Sequence, residues 1–169
     1  MPSDPLDAGL LSPATVGHDI LVSDRAYLDA LVRAECALVT AYADRGVAPR
    51  EIADAVDHTF GLDEKYGSPS LGIDLGALAA ASGAGGNPVI PLVGEIKGRV
   101  PAECRPWIHR GATSQDILDT ATMIVARAAV GQVIASLTHT GQWLRALAET
   151  HADTDRKSTR LNSSHTDIS

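Results

Sequence analysis

The stretch from Trp107 to Ala121, WIHRGATSQDILDTA, gathers the residue types best suited to holding and acting on an anion. An apolar pair leads through His109 and Arg110 into Gly111, and Thr113 and Ser114 then open a run of apolar residues at helical spacing. Such a pattern predicts a loop feeding a helix N-terminus, with Thr113 or Ser114 as cap and Asp116 in the first turn. The first backbone N–H groups of a helix have no intrahelical partner, and the helix dipole adds partial positive charge beside them. Two hydroxyls supply further donors, so the stretch suits a carboxylate, and Gly111 lets a ligand approach the backbone. His109 and Arg110 are candidates for the same anion, although Arg110 is equally suited to facing water. Asp116 and Asp119 are read as helix-start charges and internal acceptors, not as a hydrolytic acid/base pair.

The elements that must position this stretch are helical. Hydrophobic residues make up 44% of the 169 residues but aromatics only 4%, a composition that favours closely packed helices over a β-sandwich. Ser23 and Asp24 offer a helix start, and Leu28, Leu31, Val32, Glu35, Leu38, Val39 and Tyr42 follow at helical spacing as far as Gly46. Pro49 begins a second helix with Ile52, Val56 and Phe60 on one face, closed by Gly61. A loop over Leu62 to Leu71 precedes a short alanine-rich helix from about Ile73 to Ala81, broken by Gly83, Gly85 and Gly86. Asn87 then caps a helix from Pro88 to about Arg99, with the glycine loop before it free to present Asn87 to a ligand. From Ser114 the helical period continues to about His151, roughly 57 Å at about 1.5 Å per residue. Its apolar stripes, Ile117 to Ala128 and Val130 to Ala148, need more covering helices than this chain supplies. Met1 to Val16 reads as an irregular, proline-rich arm.

Several function classes are disfavoured. The formal charge of −7 argues against a nucleic acid or an anionic membrane as partner. No uninterrupted run approaches about 18 apolar residues, so no membrane span is expected, and the acidic N-terminus is unlike a signal peptide. Cys36 and Cys104 lack C-x-x-C spacing, so no disulfide framework or zinc site is expected and a reducing cytoplasmic setting fits. His18, His58, His139 and His151 are dispersed, without metal-ligand spacing. Gly83 to Gly86 does not match G-x-G-x-x-G and follows no strand, and no G-x-S-x-G elbow is present.

His109 to Asp116 followed by Asp119-Thr120-Ala121 resembles the first signature of the fumarase/aspartase superfamily. Gly86 to Val93, GNPVIPLV, resembles the corresponding segment of its 3-carboxy-cis,cis-muconate cycloisomerase family, where adenylosuccinate lyases place a His-Asp pair. The resemblance runs from roughly Leu21 to Thr154. It implies an all-α fold: an N-terminal helical domain over 1–111 and, over 112–154, the first helix of a central bundle in a homotetramer. It implies substrate contacts from Asn87, His109, Thr113, Ser114 and Gln115 to a small polycarboxylate, with no cofactor. The activity implied is conversion of 3-carboxy-cis,cis-muconate to a lactone in aromatic-compound (protocatechuate) degradation. The superfamily's second signature would begin just after Thr154 and its Ser-rich catalytic loop would lie further on, so the chain is expected to be an inactive N-terminal fragment. His151 precedes the second signature and is not its acid. Asp155 to Ser169 resembles the translation of a sequencing adapter and is expected to be non-native. Alternatives are an adenylosuccinate lyase-like C–N lyase fragment and a noncatalytic helical interaction module.

Overall fold

In the computed structural model, which describes residues 17, 19–62, 69, 70 and 72–153, all regular structure among the described residues is helical. Five α-helices follow in order: α1 (Asp24–Asp44), α2 (Arg50–Thr59), α3 (Leu75–Gly85), α4 (Val89–Arg99) and α5 (Ser114–Thr150). Single 3-10 turns at Ile20–Val22 and Arg105–Trp107 precede α1 and α5. The expected N-terminal arm and the 155–169 tail lie outside the described residues, as does most of the loop expected over Leu62 to Leu71.

Capping chemistry explains most helix boundaries. Ser23 Oγ accepts from the Ala26 N–H at 3.2 Å and starts α1. Pro49 stands one position before α2, where its fixed φ suits helix entry. Asp74 Oδ1 accepts from Ala77 N–H at 2.9 Å and starts α3, and Asn87 Oδ1 accepts from the N–H groups of Val89 and Ile90 at the head of α4. The glycines after Ala81 correct the sequence expectation. Instead of forming a loop, Ser82 to Gly85 continue α3, which ends at left-handed Gly86 with φ 73°. Glycine is tolerated in a helix at about 1 kcal/mol relative to alanine. Here Gly85 also makes room, because a Cβ on it would sit 3.0 Å from Ile90 Cδ1.

The chain divides between Gly131 and Gln132 into two units. In the first, α1 supplies Leu28, Leu31, Val32, Cys36 and Val39 to the core, α2 supplies Ile52, Ala53 and Val56, and α4 supplies Val89, Leu92 and Ile96. Ile108 from the connection and Ile117 and Ala121 from the start of α5 complete it. Tyr27 Oη donates to Leu118 O at 3.3 Å, tying α1 to α5. Arg25 donates to the carbonyls of Ser70 and Ile73, while Asp29 accepts from the Ser70 N–H, so α1 also grips the approach to α3.

In the second unit Val133, Ile134, Leu137, Trp143, Leu144 and Leu147 are exposed. By length and composition α5 could cross a membrane, although polar residues interrupt its apolar runs. A helix destined for the centre of a helical bundle has the same composition, so these two properties do not distinguish the settings.

Leu92 is fully buried in the core. Leu92→Ala is therefore expected to lower the unfolding free energy by about 2–5 kcal/mol, read as a shift of the urea midpoint with little change in slope.

Candidate functional site

Between α4 and α5 the chain must turn sharply, and the residues at the turn are the ones whose chemistry stands out in the sequence. Ile108 is buried and anchors the connection in the core. His109 follows in the left-handed region with φ 59°, the one positive-φ non-glycine residue among those described. A side chain in that region costs about 1–2 kcal/mol and persists where surrounding contacts over-determine it. Gly111, at φ 71°, completes the turn, and a Cβ on it would lie 3.0 Å from Tyr42 Oη.

Two side chains of α1 hold this turn. Tyr42 Oη donates to the Arg110 carbonyl at 2.7 Å. Glu35 Oε1 lies 2.7 Å from His109 Nδ1. The Arg110 guanidinium lies over the Trp107 ring at 4.6 Å, and Trp107 packs against Tyr42 with ring centroids 6.0 Å apart. Exposed Arg110 is thus committed to a cation–π contact as well as facing water.

Glu35 is the residue that sequence reasoning missed. It occupies a position in the apolar stripe of α1, is 0% exposed, and its Oε2 is buried with no hydrogen-bond partner. Burial pushes its carboxyl above the ordinary value of 4.5; the bond to His109, the charge of His109 and the more distant Lys97 oppose that rise. The available signal was a carboxylate at i+3 and i+4 from Val32 and Leu31, where a core side chain is expected.

The head of α5 is a reciprocal capping box. Asp116 Oδ2 accepts from the Thr113 N–H at 2.8 Å and from Thr113 Oγ1 at 3.0 Å, while the Asp116 N–H points to Thr113 Oγ1 at 3.4 Å. Thr113 is therefore the cap, and its hydroxyl is committed inside the protein. Gln115 Nε2 donates to Asp119 Oδ1 at 2.7 Å, a bond one helical turn along. Ser114 is partly buried, and its hydroxyl has no protein partner among the described residues. By the arithmetic of helix ends, the N–H groups of Ser114 and Gln115 are the ones the box leaves over. Asn87, for its part, spends its side-chain oxygen capping α4. Of the five residues expected to meet substrate, the chain thus brings His109, Thr113, Ser114 and Gln115 together around one turn. No hydrogen bond joins Asn87 to them among the described residues. Among those residues no three His, Cys, Asp or Glu side chains are grouped as metal ligands, and Cys36 and Cys104 are both free and buried. What the turn offers chemically is one hydroxyl and two amides outside the capping box, with the His109 imidazole nearby.

No protein-family model matches the chain. A nitrosuccinate lyase of Streptomyces davaonensis is 42% identical over 154 residues, covering 88% of this chain and 31% of that protein. A 3-carboxy-cis,cis-muconate cycloisomerase of Bradyrhizobium diazoefficiens is 35% identical over 153 residues, covering 89% of this chain and 32% of that protein. The crystal structure of β-carboxy-cis,cis-muconate cycloisomerase from Acinetobacter calcoaceticus sp. ADP1 superimposes with a TM-score of 0.67 at 33% identity, over 79% of this chain and 30% of that one. Fold and sequence together define a helical protein of the lyase and cycloisomerase kind. The chain belongs to the fumarase/aspartase superfamily, and it spans about a third of the length of the curated relatives it matches.

The Asp116 carboxyl is held below the ordinary aspartate value of 3.8, first by the Thr113 N–H and then by its hydroxyl. A lowered carboxylate stabilises the fold above the unfolded value, and that stabilisation fades as pH falls through the lower folded value. Circular dichroism between about pH 5 and about pH 2 should therefore show loss of stability on acidification that is smaller in Asp116→Asn. Thr113→Ala should cost about 1 kcal/mol at neutral pH.

Proposed function

We propose that the chain is the N-terminal part of an enzyme that carries out addition or elimination beside a carboxylate, and that Ser114 and its neighbours hold that carboxylate. The observation that carries the reading is the head of α5. There the Ser114 hydroxyl and the two amides left over by the capping box, without protein partners among the described residues, stand at the positive end of a helix dipole, in a chain similar to lyases and cycloisomerases. In such reactions carbanion-like charge develops on the carboxylate, and donors fixed in advance stabilise it without reorganising. Thr113 supports the site by capping, His109 and Gln115 border it, and Asn87 belongs to the same proposed set. No cofactor is required for this chemistry.

The specific reaction we propose is lactone formation from 3-carboxy-cis,cis-muconate, in which a substrate carboxylate adds across a double bond and the adjacent carbon takes a proton. Two named cycloisomerases and the structural match support it. A second reading is favoured by the 42% identity to nitrosuccinate lyase. In that case a proton leaves one carbon and the nitro group leaves its neighbour as nitrite with the bonding pair, a C–N elimination instead of a ring closure. Residues 112–154 then begin the central bundle of a cytoplasmic homotetramer, whose remaining segments supply the proton-transfer groups. A noncatalytic helical module would need none of these donors.

The intact parent assayed for lactone formation from 3-carboxymuconate and for nitrite release from nitrosuccinate distinguishes the two reactions. Ser114→Ala should slow the active one by about 3 kcal/mol of transition-state stabilisation, while its folded fraction stays nearly unchanged, because the cap of α5 is Thr113. A rate loss no larger than the loss of folded protein would remove Ser114 from the proposed site. The 169-residue chain alone should show neither activity.

The same chain should self-associate, because its distal α5 face is apolar and exposed. Sedimentation should show oligomers that Leu137→Asp disperses; a monodisperse monomer at high concentration would refute the oligomer part of the proposal.

A further inference from the structure

Glu35 sits where an apolar side chain would serve the fold better. It is 0% exposed, its Oε1 lies 2.7 Å from His109 Nδ1, and its Oε2 is buried with no partner. One turn before and after it on α1, Leu31, Val32 and Val39 are buried and apolar, so the surroundings suit an apolar residue. Taking a carboxyl out of water opposes most of what such a pair returns, and apolar replacements of similar volume are often neutral or stabilising. The orphan oxygen adds to the loss. Stability alone therefore accounts poorly for a carboxyl at position 35.

What the contact does fix is the direction of a bond. Ile108 is buried in the core, so the peptide entering His109 is anchored. With that peptide held, rotation about N–Cα of His109 moves two bonds together: Cα–Cβ, which carries the imidazole, and Cα–C, along which the chain leaves towards Arg110. At φ 59° the imidazole meets Glu35. The right-handed and extended regions, with φ between about −160° and about −50°, lie roughly 110° or more of that rotation away. Such a turn displaces Cβ and the ring with it, and Glu35, packed in the core, does not follow. The other grip, from Tyr42 Oη to the Arg110 carbonyl, acts on the exit side of His109. Either protonation state of the ring serves the contact, since Nδ1–H donates to a carboxylate and a protonated Oε1 donates to a bare Nδ1.

We propose that Glu35 is a positioning residue: its contact with His109 holds that residue in the left-handed region, and so sets the direction in which the chain enters α5 and presents Ser114. The part played by Ser114 rests on the proposed function, whereas the conformation of His109 does not. Glu35 touches no ligand and acts through the backbone of the turn. Position and stability are then opposed at this residue, and they separate when it is replaced.

NMR and urea unfolding of the full 169-residue chain test this without any assay of turnover. At positive φ the amide hydrogen and Hα of one residue lie closer together than at negative φ, so His109 should show a strong intraresidue nuclear Overhauser effect in the wild-type chain. In Glu35→Leu that signal should fall to the level of its negative-φ neighbours, while the urea midpoint stays level or rises. Glu35→Gln, whose amide can bond Nδ1 in either ring state, should keep the signal. A strong signal retained in Glu35→Leu overturns the proposal, as does a weak one in the wild type or in Glu35→Gln. A Glu35→Leu chain that unfolds at lower urea, or fails to fold, overturns it as well, because the pair would then be holding the core. In the intact parent, Glu35→Leu should lower kcat/KM about 10–100-fold by misplacing the head of α5, with Glu35→Gln recovering most of the loss. If the parent keeps its rate while the His109 signal is lost, the conformational role of Glu35 stands and the proposed function of Ser114 fails.

Discussion

The turn between Ile108 and Thr113 sets where α5 begins against the rest of the first unit. It is fixed from one side, by α1: Ile108 packs into a core that α1 dominates, Glu35 meets His109, and Tyr42 meets the Arg110 carbonyl. Glu35 and Tyr42 are seven residues apart, two helical turns, so they rise from the same face of α1 and grip the turn at two points. A loop held at two points along a rigid helix cannot pivot, and the start of α5 inherits that rigidity. The positive φ at His109 is the local strain that such a grip can sustain.

The electrostatics of the α5 head are more divided than a bare helix N-terminus suggests. The dipole and the spare amides favour an anion, yet one anion is already present in Asp116, which occupies the backbone and hydroxyl of Thr113. Its neighbourhood with His109 makes the turn a small balance of charges. Only donors outside the capping box, on Ser114 and Gln115, escape that competition. This separation of roles follows from position: Thr113 is the cap and pairs with Asp116, while Ser114 is the first residue of the helix.

Local signals were well expressed in the sequence, and tertiary ones were not. Ser23, Asn87 and the Thr113-Ser114 step mark helix starts because short polar side chains satisfy nearby amides without help from the rest of the fold. The all-helical class and the continuity of α5 follow from periodicity alone. The end of α3 was misjudged, because glycines that break an isolated helix are acceptable when Gly85 lets Ile90 close against it. By spacing alone Glu35 is one more member of a helical stripe. Which side chain of α1 meets a residue 74 positions later is decided by packing, and nothing in the local pattern encodes it.

The distribution of buried apolar residues also sets an order in time. Among the described residues every buried hydrophobic side chain lies between Leu28 and Ala121. Chains emerge from the ribosome N-terminus first, and domains generally fold as units. The core of the first unit is therefore fully supplied once Ala121 has emerged, and its assembly does not wait for the distal half of α5. That later stretch is made as a helix whose apolar residues have no use in the core already formed.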